Sequence, residues 1–199
     1  MDFGAGHIDI SYVREVLKGT PLQASYEERV YATAEPEKAR VRRGRLVVDC
    51  AGRCRTEIQQ DLDEGGPLHV AIIHEPTGRI TFHDLGSRTS LGSFDTQTIA
   101  EAATACAVDT DTSAAGPANR CATAPRAPET RNLGSRAIEG FSCHGRLVIV
   151  EGGGTYERWE SRELGLPLLA ISREHDQEAV FRVYDIDRTE PDPALFQGG

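Results

Sequence analysis

The chain has 199 residues, enough to bury one sizeable core. Apolar residues make up 39% and charged residues 27%, and 31 acidic against 22 basic side chains leave a net charge of -9. That charge argues against nucleic acid or an anionic membrane as a partner, since phosphate binding needs a positive field, and no stretch approaches the ~20 apolar residues of a membrane span.

In chain order, "IDISYVREVLK" places Ile8, Tyr12, Val13, Val16 and Leu17 on one helical face, with Asp9 as cap and Gly19 as stop. From Leu22 the pattern turns extended. "LQASYEERVYATA", "KARVRRGRLVVD" and "CRTEIQQ" read as strands, the last two forming a hairpin about "CAGR". The arginine run Ala39 to Arg45 is one solvated strand face. "DLDEGGP", Asp61 to Pro67, is a solvated turn, and "LHVAIIHE" and "RITFHDL" form a second hairpin around "PTG".

"FDTQTIAEAATACAV" then reads as a mid-chain helix capped by Asp95 or Thr96, with Ile99, Ala102, Ala103 and Cys106 at helical spacing. A long loop insertion over about 109–131, rich in Ala, Thr, Pro and Gly, comes after it. The remainder is extended again, in "SRAIEGFSCHGRLVIVEGG", "TYERWESRE", "LPLLAISRE" and "EAVFRVYDIDR". The sum is an α+β chain of about ten antiparallel strands with one N-terminal and one mid-chain helix, read as a single domain over residues 1–199.

Five cysteines occur. Cys50 and Cys54 flank a hairpin turn and Cys106 and Cys121 bracket the polar insertion, so these four are disulfide candidates, and they favour an oxidising compartment. Cys143 is left over. The N-terminus lacks a basic n-region and a long apolar core, so the chain is either cytoplasmic or the mature form of an exported protein.

No catalytic constellation emerges. His69 and His74 are five apart on one strand and face opposite ways. Cys143 and His144 are adjacent, which aims them at opposite faces and leaves His144 poorly placed to take the thiol proton. A zinc set of Cys50, Cys54, Cys143 and His144 has too loose a spacing. "DTDTSAAG" fails as a calcium loop because Ala114 and Arg120 stand where Gly and Glu are needed. No catalytic residue, metal or cofactor is expected, and Trp159, the single tryptophan, reads as a core anchor.

"RRGRLVVDCAGRCRTEI", "IIHEPTGRITFHDL" and "YERWESRELGLPLLAIS" resemble successive elements of lipoprotein-carrier-like (LolA-like) domains. "GTPLQASYEERVYA", "LGSRAIEGFSCHGR" and "EPDPALFQ" are similar to a family of uncharacterised exported bacterial proteins with the same order of elements. The resemblance runs from Gly19 to Gln197 except for Asp109 to Arg131. It implies a half-barrel, a strongly curved antiparallel sheet whose concave side is apolar and covered by helices. Such carriers hold acyl chains there, and a related periplasmic regulator senses lipoproteins or binds an anti-sigma factor; none is an enzyme. The cysteines of "DCAGRC" depart from the usual pattern and suggest extra stapling.

The expectation is therefore an exported, periplasmic or extracellular, non-enzymatic binding module with an apolar ligand or a protein as partner, associated with a membrane only through that partner. Cytoplasm is the alternative compartment. Leu46, Val48, Ile72, Phe82, Leu147, Ile149 and Trp159 are the lining candidates. The alternative function is an accessory subunit of an extracytoplasmic assembly, using the Cys106 to Cys121 loop and the sheet edge as contacts.

Overall fold

The computed structural model describes residues 8–62, 66–95, 128–150 and 152–197. The first element, α1, spans Ile10–Leu17. The Asp9 carboxylate accepts from the amides of Ser11 and Tyr12 at 3.0 and 3.1 Å, which satisfies two otherwise orphaned donors of the first turn. Lys18 in the left-handed region and Gly19 at φ 80° end it. Val13 and Leu17 are buried, whereas Tyr12 is 37% exposed and does not share their face as its spacing suggested. A helix of two turns offers only a narrow stripe to the sheet, and those two residues occupy it.

Eleven strands come next: β1 (Leu22–Ala32), β2 (Arg40–Val48), β3 (Cys54–Leu62), β4 (Gly66–His74), β5 (Arg79–Asp84), β6 (Thr89–Asp95), β7 (Glu129–Ile138), β8 (Phe141–Ile149), β9 (Thr155–Ser161), β10 (Leu166–Glu174) and β11 (Gln177–Asp187). They form one open antiparallel sheet in the order β6-β5-β4-β3-β2-β1-β11-β10-β9-β8-β7. Two meanders thus meet at the β1–β11 pair, and β6 and β7 are the edges.

The count is eleven rather than about ten because β6 escapes the alternation rule. A register irregularity opposite Phe82 and His83 breaks its period of two, and every residue of it is exposed. Phe94 and Asp95 consequently belong to a strand and not to the start of the mid-chain helix; the rest of that expected helix lies outside the described residues. Residues 129–131 open β7 rather than closing the loop, and they look polar because β7 is an edge exposed on both faces. The turn after β3 is also tighter than expected, since Asp61 pairs with Pro67 and Leu62 with Gly66.

The sheet is strongly curled. Val13 packs on the turn at Gly165, between β9 and β10, while the next residue, Arg14, donates to the His74 carbonyl at the end of β4. Strands β4 and β10 are five inter-strand steps apart, about 24 Å in a flat sheet at about 4.8 Å per step. Adjacent residues of one short helix reach both, so the sheet wraps around it.

Strand register then defines an inner, helix-side face. Leu22, Ala24, Tyr26 and Glu28 share it with Val48, Leu46, Gly44 and Arg42, and across β11 with Val183 and Phe181. Val13, Leu17, Leu22, Leu46, Val48, Cys54 and Phe181 are at most 3% exposed and form its core. On the outer face Val47 and Ile73 are covered by the one-turn 3-10 helix Pro193–Phe196. Arg55 holds that turn by donating to the Leu195 carbonyl at 2.5 Å, and Arg53 lies 4.5 Å from the Phe196 ring centre.

Candidate functional site

Beyond the part sealed by α1, the inner face has two limbs of opposite character. On β4–β6 the register Cys54–His74–Ile80–Phe94 and its parallel rows put Leu68, Val70, Ile72, Ile80, Phe82 and Phe94 on one side. The Phe82 and Phe94 rings pack at 5.2 Å between centroids, and Leu68 and Phe94 are each 39% exposed. The N-terminal end of α1 shares a recess with Ile80, and the wall runs on from there to Leu68 and Phe94.

The other limb is cationic. Following pairs outward from Phe181, Ala170 meets Arg158, Arg158 meets Arg146, and Arg146 meets Asn132. One row further, Ser172, Tyr156, Val148 and Thr130 align. Of these, Thr130, Asn132, Arg146, Val148, Tyr156 and Arg158 line, with His144, Glu160 and Arg162, a groove of about 510 Å³. Arg158 donates to one Glu160 oxygen at 3.1 Å, through both Nε and a terminal nitrogen. Arg146 and Arg162 make no ion pair or side-chain hydrogen bond among the described residues. Ser135 Oγ and His144 Nδ1 are hydrogen-bonded at 2.8 Å on the rim.

Arg146 directly opposite Arg158 is energetically unfavourable, since like charges on facing positions of a sheet cost roughly 0.2–1 kcal/mol. The two limbs lie toward opposite edges of the sheet, the wall next to β6 and the groove next to β7. Between them the floor carries Glu28, 5% exposed, in an ion pair with Arg42.

The lining candidates divide between the faces. Leu46 and Val48 are inner but sealed under α1, at 1% and 2% exposure, and Ile72 and Phe82 are inner and part of the open wall. By register with Ala170, Arg158 and Arg146, Leu147, Ile149 and Trp159 lie on the outer face, yet Trp159 is 7% exposed and belongs to the buried cluster that also holds Val13 and Phe181, as a core anchor. The Trp159 ring lies over Gly145, donates to Glu157 at 2.6 Å and carries the Arg136 guanidinium 3.9 Å from its centre. The seven residues are thus divided between two faces of the sheet. Sequence reasoning passed over Arg146 and Arg158, although His144-Arg146-Val148 and Tyr156-Arg158-Glu160 each alternate on a strand.

The three described thiols are all held above the usual thiol range. Cys50, Cys54 and Cys143 are free; Cys50 is exposed while Cys54 is buried on the inner face. The turn that separates this pair is closed instead by Asp49, whose carboxylate accepts from the Arg53 amide at 2.7 Å and from Arg53 Nε at 2.6 Å. Cys106 and Cys121 lie outside the described residues. Burial raises the Cys143 thiol above its usual range, and His144 points away from it. His74 is inner and His69 and His83 outer.

No family model matches the sequence, and no curated protein matches it. Among solved structures, an uncharacterized conserved protein from Thermus thermophilus is similar, with a TM-score of 0.51, 12% identity, and coverage of 94% of this chain and 90% of that one. The MucA/MucB complex of Pseudomonas aeruginosa gives a TM-score of 0.49 at 15% identity, and covers 96% of this chain. This chain spans 59% of the MucB-complex chain it matches. A LolA superfamily protein from Nitrosomonas europaea gives 0.37 at 9% identity, over 96% and 98% of the two chains. Of the three, the Thermus protein alone passes 0.5, and at its identity the likeness is one of fold.

Proposed function

We propose that this protein is an exported, non-enzymatic half-barrel that holds an apolar chain against the inner face of β4–β6. The observation that carries the reading is the wall formed by Leu68, Val70, Ile72, Ile80, Phe82 and Phe94, in which Leu68 and Phe94 are each 39% exposed among the described residues. An apolar patch in a concavity is where burial of a ligand's methylenes is most favourable, at about 0.8 kcal/mol per CH2. The lipoprotein-carrier-like order of elements in the sequence supports the same assignment. The raised Cys143 thiol and the divergence of Cys143 from His144 support a binding rather than a catalytic role.

The test is titration of the delipidated protein with the uncharged apolar probe N-phenyl-1-naphthylamine. Saturable enhancement of its fluorescence, reduced severalfold in Phe94→Asp and Phe82→Asp, is the expected result. Absence of saturable binding in a folded protein overturns the reading.

The exposed edges β6 and β7 favour a second reading, an accessory subunit that pairs an edge with another chain. A species larger than one chain in its native envelope extract, lost when proline replaces Ser135 on β7, is what that reading expects.

A further inference from the structure

We infer that the groove on the inner face of β7–β9 is a binding site for an oxyanion, phosphate or carboxylate, held between Arg146 and Arg158. This rests on reading the inner face as a ligand surface, and it adds a polar headgroup to the apolar chain.

The argument starts from the facing arginines. Arg146 and Arg158 occupy directly opposed positions on neighbouring strands, and a single acid, Glu160, answers them. Arg162 and His144 add donors to the same groove, and Arg146 and Arg162 have no partner among the described residues. A chain with nine more acidic than basic side chains has ample carboxylates to neutralise such a pair, yet here it places two arginines face to face. Glu160 compensates Arg158 alone among the described residues, and an arrangement that breaks a local rule with incomplete compensation marks a functional position. A guanidinium fork matches the oxygens of a phosphate or carboxylate, and two forks on adjacent strands address one tetrahedral or planar anion from two sides. Tyr156 and Val148 line the same groove one row away, so an anion there has apolar surface beside it. Arginine donors beside the Tyr156 and Val148 surface suit an acidic amphiphile.

The experiment uses the full chain and three probes: inorganic phosphate by chemical-shift titration, and sedimentation with vesicles of phosphatidylglycerol or of phosphatidylcholine. Arg146→Gln and Arg158→Gln are compared with Arg79→Gln, a strand arginine outside the groove. Phosphate should perturb the backbone amides of β8 and β9 saturably, and each groove substitution should weaken binding about tenfold. Selective sedimentation with phosphatidylglycerol, lost in both groove variants, identifies the source as a lipid headgroup; phosphate binding without sedimentation identifies a free oxyanion.

Arg146→Gln should also leave the ligand-free protein as stable as the parent or more so, a readout that a purely structural arginine would move the other way. Unchanged binding in both groove variants, equal loss in Arg79→Gln, or no phosphate shifts at all overturns the inference. Failure of the uncharged probe with retention of phosphate shifts would remove the apolar-chain reading and leave the anion site standing.

Discussion

The phenol of Tyr26 lies flat across Gly44 of the neighbouring strand and donates to the Glu57 carbonyl one strand beyond, at 2.8 Å. A Cβ at Gly44 would stand 2.2 Å from both that ring and the Glu57 oxygen. The glycine is therefore required by close approach, and it lets one tyrosine tie three strands at the floor of the concavity. Gly44→Ala should destabilise the fold by about 3 kcal/mol or more, since overpacking typically costs about 1–3 kcal/mol and one of the clashing atoms is backbone. Urea unfolding checks it, with Gly86→Ala, whose Cβ would meet only the tip of Asp84 at 3.2 Å, as the mild comparison.

Glu28 and Arg42 form an ion pair on the same floor, with side-chain exposures of 7% and 42%. Removing one partner of a buried pair costs about 3–5 kcal/mol, and the half-exposed arginine puts Arg42→Met at or below the lower end of that range. The double variant Arg42→Met/Glu28→Gln should recover much of the loss, because no uncompensated carboxylate is left. Equal stability of the single and double variants would show that the carboxylate does not need its arginine.

Trp159 is the only tryptophan, so its emission reports its surroundings without interference. Arg136→Ala should uncover the ring on the outer face, shift the emission to the red and cost about 0.5–1 kcal/mol, the worth of an exposed cation–π contact. Ligands of the inner face should leave that emission nearly unchanged. A large quench by the apolar probe would place the ligand on the other side of the sheet.

Stability should fall on the alkaline side. Burial pushes both the Tyr26 phenol and the Cys54 thiol up to about 12, from ordinary values of 10.0 and 9.0. Between those ordinary values and about 12 the unfolded chain has released these protons while the folded chain still holds them, so each pH step upward favours unfolding. The contribution of both groups is whole below about pH 9 and is lost by about pH 12. Denaturant midpoints measured from pH 8 to 11 should decline, and Tyr26→Phe and Cys54→Ala should each flatten the slope whatever they do to the midpoint at neutral pH.

What the residues reveal alone is what neighbours along the chain decide. The cap at Asp9, the stop at Gly19 and the hairpins about "CAGR" and "PTG" are local events, and each stands where the sequence places it. Alternation likewise shows that Arg146 shares a face with His144 and Val148, and Arg158 with Tyr156 and Glu160. It does not say which face. That is settled by pairing between residues far apart, Tyr26 with Val183 and Ala170 with Phe181, and by irregularities at Gln23/Ser25, Pro167/Leu169 and Asn132/Gly134, each of which resets the parity of the residues beyond it. Leu147, Ile149 and Trp159 look like cavity lining in the sequence and stand on the outer face through the pairing of Phe181 with Ala170, Ala170 with Arg158 and Arg158 with Arg146. The edges resist reading for another: β6 and β7 are exposed on both sides and need no hydrophobic period. Sequence alone determined a meander of hairpins with a capped helix; only the register between distant strands set a phenylalanine wall and two opposed arginines on the same face of one sheet.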